Sequence, residues 1–137
     1  MGANADLVRR LTDEVFIGGN IGVLDEIVAD DFVSHDPPPE IPGTKDGFRQ
    51  LAEMVVAAFS DRKTEFDEYL DTTDDRVVEN WAMTGRHTGE AFGLPASGQD
   101  TRVRGIEIWR CVDGKLVEHW GAVDMSDVFM KAGPPPG

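Results

Sequence analysis

The stretch LVEHWGAVDMSDVF, residues 116–129, sets Glu118, His119, Trp120 and Asp124 close together around Gly121. Carboxylates and an imidazole beside an indole are the parts of a general acid/base site with an apolar wall; the plainer alternative is the last strand of a small domain. Asp124 ends a segment that alternates well, so it is the first candidate for an acid or base at a cavity mouth. At an ordinary carboxylate pKa of ~3.9 it is a weak base, and it needs desolvation by apolar neighbours to become a stronger one. The alternative is a strand-end carboxylate that caps the turn at Ser126.

Strand parity selects the side chains that can meet it. In an unbulged sheet, Val77, Glu79, Trp81, Met83, Gly85 and His87 share one face, as do Val103, Gly105, Glu107 and Trp109, and as do Leu116, Glu118, Trp120, Ala122 and Asp124. Trp81, Met83, Trp109 and Trp120 are then candidate walls for an apolar, carbonyl-bearing ligand, or simply core. Glu107 sits between Ile106 and Ile108, and an acid in an apolar strand centre must be paired or useful. Its partner is one of Arg86, Arg104 and Arg110, or it forms a carboxylate pair with Asp124 in which the two pKa values are driven apart. His87 is a candidate proton donor, against a histidine bonded to backbone at a loop entrance. His35 either lines the pocket or anchors the loop beyond it through Asp36. His119, of opposite parity to Trp120, is expected to face helices or solvent.

Two kinds of element must position these residues. Leu7, Leu11 and Val15 recur at helical spacing before Gly18-Gly19-Asn20; Ile21, Leu24, Ile27 and Val28 suggest a second short helix ending near Asp30. FVSHDPPPEIPG then demands an exposed loop, and Thr44 can cap a helix whose buried face holds Phe48, Leu51, Val55 and Phe59. From Thr64 the pattern alternates: TEFDEYLDT, RVVENWAMTGRH, TRVRGIEIWRCV and KLVEHWGAVDM are expected strands, with Asp113-Gly114 as a two-residue hairpin turn. Helices laid on one face of a bent antiparallel meander give an α+β domain with a pocket where the layers diverge. The Pro/Gly tail, 132–137, is expected to be mobile.

Bulk properties narrow the partners. The 137 residues fit one domain, 1–131 before the tail. With 26 acidic against 13 basic residues, a net charge of −13, the chain repels nucleic acid and anionic membrane. A neutral small molecule or a second copy of the chain is the expected partner. One cysteine, Cys111, and no Cys/His spacing of the zinc kind argue for a reducing compartment and no metal site. With no apolar span and no leader pattern, the expectation is a cytoplasmic protein. Walker, GxGxxG and GxSxG motifs are all missing, so the expected chemistry runs without cofactor.

FVSHDPP, TGRHTGEAFGLPASG and GIEIWRCVDGKLVEHWGAVD, in register over residues 5–130, together resemble the SnoaL-like polyketide cyclase family. The resemblance implies a cone-shaped fold of the nuclear transport factor 2-like kind, pairing as a homodimer through the sheet, with a deep apolar pocket. It also implies metal-free acid/base catalysis of an intramolecular aldol closure, with Asp124 as acid/base by its place in EHWGAVD and with His35 and His87 in pocket-lining segments. Family members often carry aspartate where Gly121 stands, a departure in this chain. Similar domains also serve as epoxide hydrolases, isomerases and plain binding modules, so these stay open beside the cyclase.

Overall fold

The computed structural model describes residues 2–133. Helix α1 (Ala3–Arg10) buries Ala5 and Val8 and runs on into a wider π-helical segment, Leu11–Ile17, that buries Leu11 and Val15. Gly18 closes it with a bond to the Asp13 carbonyl, and Gly19 turns the chain away with a φ of 76°. The glycine stop read from the sequence holds.

The second helix is shorter than expected. A 3-10 turn, Ile21–Val23, leads into α2 (Leu24–Ile27), and from Val28 the chain is already extended as β1 (Val28–Ser34). Val28 and Phe32 face the core, and β1 pairs in parallel with the strand that contains Leu116 and His119. Its partner lies more than eighty residues downstream, so no local signal marks it as a strand. The expectation of an all-helical first half fails here.

After the proline loop, α3 (Lys45–Ala58) starts where Thr44 Oγ1 accepts from the Gly47 amide at 3.2 Å, a cap worth about 1 kcal/mol. Phe48 and Ala52 are buried against the sheet. The helix ends one residue before Phe59, which opens β2 (Phe59–Asp71); β3 (Arg76–His87), β4 (Asp100–Val112) and β5 (Lys115–Asp124) follow. The Asp113-Gly114 turn has φ of 50° and 75°, the positive pair that a two-residue hairpin takes. The sheet order is β1-β5-β4-β3-β2. Helix α4 (Ser126–Ala132) closes the described chain and takes in Ala132, the first residue of the expected tail; Pro134 to Gly137 lie outside the described residues.

One irregularity matters for the site. Between β4 and β5 the register runs Trp109 to His119 and Arg110 to Glu118, but then Cys111 to Leu116, so Val117 is the extra residue of a bulge. A one-residue shift turns every later side chain to the opposite face. Past Val117 the residues beneath the helices are His119, Gly121 and Val123, in place of Glu118, Trp120, Ala122 and Asp124.

Candidate functional site

A cavity of about 940 Å³ opens between the helices and the curved sheet. Phe16, Leu51 and Met54 from the helical layer and Trp81, Met83 and Trp109 from the sheet give it an apolar, aromatic wall. Loop residues Pro37 to Pro42 and Phe92, with Met125 and Phe129 from the C-terminal end, surround its mouth. This is within the size range of cavities that hold small molecules.

Polar groups are few and convergent. Glu107, 6% exposed, holds its Oε1 at 3.0 Å from His119 Nε2, and its Oε2 accepts from Trp81 Nε1 at 3.2 Å. The other nitrogen of the imidazole, Nδ1, lies 3.0 Å from Ser34 Oγ. An ionised carboxylate only accepts, so the consistent assignment puts the proton on His119 Nε2 and lets Nδ1 accept from the Ser34 hydroxyl. Trp109 packs over the imidazole with ring centroids 4.3 Å apart. Ser34, Glu107 and His119 all line the cavity.

The next strand supplies a second buried acid. Glu79 pairs directly with Glu107 across β3 and β4, on the same face, and is 3% exposed. Trp109 Nε1 donates to its Oε1 at 3.1 Å and Thr12 Oγ1 to its Oε2 at 2.9 Å. Burial above all, and then the nearby Asp67 carboxylate, holds the Glu79 carboxyl well above the usual carboxylate range. The surroundings agree: Asp67 takes a bond from the Tyr69 hydroxyl on one oxygen, while its other, Oδ1, is buried and lacks a donor unless Glu79 carries a proton. Burial, and after it the Asp67 bond, also keeps the Tyr69 hydroxyl protonated far above its ordinary range. Thr12 reaches Glu79 from the π-helical segment, whose wider turn faces the cavity.

The residues singled out from the sequence divide into three groups. Glu107, Trp81, Met83 and Trp109 line the cavity. His87 is fully buried and stacked on Phe59 at 5.2 Å, but it does not line the cavity and neither ring nitrogen has a partner. His35, Trp120 and Asp124 lie on the opposite side of the sheet, because the Val117 bulge and the alternation of β1 turn them outward. There His35 stacks on Trp120 at 4.9 Å and bonds Glu118 at 2.6 Å, while Arg76 covers the indole at 4.9 Å. Glu118 is held below the usual carboxylate range by Arg110 first and by His35 second.

Asp124 is exposed, and its Oδ1 accepts from the Ser126 amide at 2.9 Å. That bond, then the Ser126 hydroxyl and the charge of Arg102, lowers its carboxyl below the ordinary range. It caps the turn into α4. Glu107 takes none of the expected arginines: Arg104 bonds Asn80 and the Trp81 carbonyl, Arg110 bonds Glu118, and Arg86 lies near Asp100. The carboxyl that faces Glu107 is Glu79 in place of Asp124.

Sequence reasoning thus missed Glu79, His119, Ser34 and Thr12. Glu79 had the right parity and an apolar neighbour, Val78, and could have been chosen on the argument applied to Glu107. His119 was hidden by the bulge. Among the described residues no three His, Cys, Asp or Glu side chains converge as a metal-binding group. Every charged side chain that lines the cavity is acidic, His119 apart, which suits a neutral or cationic ligand better than an anionic one.

An α+β cone with a buried acid/base cluster in an apolar cavity defines a class of small-molecule-binding domain. Within that class, residues 6–131 match the model of the SnoaL-like polyketide cyclases, and the chain belongs to this family. It is 27% identical over 143 aligned positions to the aklanonic acid methyl ester cyclase DauD of Streptomyces sp. (strain C5), covering 98% of this chain and 84% of that one. Its fold matches that of AclR from Streptomyces galilaeus, a candidate hydroxylase, with a TM-score of 0.81, 26% identity and 97% of each chain covered. A candidate polyketide cyclase from Acidithiobacillus ferrooxidans matches with a TM-score of 0.81 at 24% identity, over 96% of this chain and 94% of that one, and shares the fold.

Proposed function

We propose that this chain is an acid/base enzyme that closes a ring in a polyketide-type ketone by intramolecular aldol addition, with Glu107 as base and Glu79 as acid. The observation that carries this is the pairing of two buried glutamates in direct register on the cavity floor, one accepting from Trp81 and His119, the other holding its proton. Glu107 removes a proton from the carbon alpha to one carbonyl. The enolate carbon attacks a second carbonyl, and the oxygen of that carbonyl takes the Glu79 proton as the new carbon–carbon bond forms. His119, fixed by Ser34, donates to Glu107 and holds its carboxylate toward the substrate. The aromatic wall keeps water from competing for the base.

Family membership and the cyclase name of a relative identical at about a quarter of positions support this reading. It needs neither metal nor organic cofactor. A homodimer through the outer face of the sheet belongs to the same reading, supported by Leu70, Ile106 and Val112, which stand 59%, 49% and 39% exposed. A cytoplasmic setting fits the single buried thiol, and among the described residues no helix is long and apolar enough to cross a membrane.

Deuterium wash-in tests the base. A polycyclic aryl ketone with an acidic alpha carbon, incubated with the protein in heavy water, should exchange that proton, and Glu107→Gln should slow exchange by about 10²- to 10⁴-fold. Exchange that survives Glu107→Gln but disappears in Asp124→Asn would return the role to the strand end. An epoxide hydrolase would instead place oxygen from labelled water in its product, and a binding module would release its ligand unexchanged.

A further inference from the structure

Two glycines on the inner face of the sheet, Gly121 lining the cavity and Gly105 beneath Trp81, each lie under a large side chain from the preceding strand. Trp81 on β3 pairs with Gly105 on β4, and a Cβ at 105 would stand 2.6 Å from two carbons of the indole and 2.7 Å from Nε1. Glu107 on β4 pairs with Gly121 on β5, and a Cβ at 121 would overlap Glu107 Oε1 outright and stand 2.9 Å from its Cδ and 2.8 Å from His119 Nε2. Real Cβ atoms do not approach so closely, so a side chain at 121 and the present Glu107 carboxylate exclude each other. Both large side chains lean the same way across the sheet. The indole lies over Gly105 and reaches Glu107 with its N–H; the carboxylate lies over Gly121 and reaches His119.

We infer that positions 107 and 121 share one carboxylate site on the cavity floor, and that Gly121, seconded by Gly105, is the positioning residue that assigns it to Glu107 on β4. Were 121 any larger residue, Glu107 would have to rise off the floor. It would then surrender the bonds to His119 and Trp81 in a place too dry to replace them with water. Conversely, an acid grown from 121 in the absence of Glu107 projects into the volume that the present carboxylate occupies, beside the same imidazole. The inference rests on the reading of Glu107 as base, but its geometric half can be tested apart from activity.

Four proteins decide it: wild type, Glu107→Gln, Gly121→Ala, and the double variant Glu107→Ala/Gly121→Asp. In the long-range proton–nitrogen NMR spectrum, the His119 ring signals of Gly121→Ala should move to those of Glu107→Gln, and the double variant should bring them back toward wild type. In the deuterium wash-in with the aryl ketone, Gly121→Ala should lose about a hundredfold, and the double variant should recover most of that loss. Wild-type His119 signals in Gly121→Ala, or a double variant as inactive as Glu107→Gln, would overturn the shared site. If Glu107→Gln leaves exchange intact while the His119 signals behave as stated, the base assignment falls and the shared site stands. Should Gly121→Ala fail to fold, the double variant alone carries the test, because it removes the overlap with Glu107 and leaves only the contact with the end of the His119 ring.

Discussion

Glu79 and Glu107 are the same residue type on the same face of one sheet, and their surroundings give them different tasks. Glu107 faces two N–H donors and Glu79 faces another carboxylate. Because the Glu79 carboxyl is raised in the folded state, the folded protein binds a proton that the unfolded chain releases. Its contribution to stability is therefore full below the ordinary glutamate range and is lost as pH rises through the folded value. Glu79→Gln, whose amide oxygen can still accept from Trp109 Nε1 while its NH2 donates to Thr12 Oγ1, should lessen this loss in chemical denaturation measured across that range; an unchanged pH profile would count against a protonated Glu79. The same substitution should cut ring closure by about 10²- to 10⁴-fold, because the amide cannot give up a proton to the new alkoxide. Asp124→Asn should keep wild-type exchange, since the side chain serves the turn at Ser126 outside the cavity.

At the scale of elements, the β5 bulge decides which residues can act. The alternation of LVEHWGAVD was readable, and it would have placed Trp120 and Asp124 in the cavity had Val117 been paired. No glycine or proline marks the bulge, so nothing local announced it. β1 was equally silent, since among the described residues its strand partner is β5 alone. What carried a local cause was read correctly: the Thr44 cap, the Asp113-Gly114 turn, the glycine stop after Ile17, and the inward faces of β3 and β4. Deleting Val117 removes the extra residue and leaves Leu116 opposite Cys111 and Glu118 opposite Arg110, so His119 and Gly121 should stay under the helices and the variant should unfold cooperatively and keep native exchange. A deletion variant that keeps its near-ultraviolet circular dichroism but loses exchange would contradict this register.

The whole molecule is a strongly acidic cone with a cavity between helices and sheet and with Leu70, Ile106 and Val112 exposed on the outside of its sheet. Cys111 lies buried in the core cluster with Val77, Trp109 and Leu116, and burial pushes its thiol up to about 11. It should resist a disulfide reagent at about pH 8 until the protein is unfolded, as a structural thiol does. Ile106, exposed at the centre of the outer face, should be essential to pairing of two copies. Ile106→Asp should convert a dimer in sedimentation to a monomer with its cavity intact, whereas a wild-type monomer would remove the expected interface. A cavity walled by the inner faces of β3 and β4 was legible from aromatic residues interleaved with acids along those strands. Which acids it holds was not, because that depends on pairing between strands far apart in sequence.

The division of the two glutamates is the central claim, and carbon-13 NMR of the side-chain carboxyls tests it without a substrate. With Glu79→Gln used for assignment, the Glu79 signal should still report a protonated carboxyl at a pH where free glutamates, at an ordinary ~4.3, have lost their protons. A Glu79 signal that titrates with the exposed glutamates would contradict the account and leave the cavity without its acid.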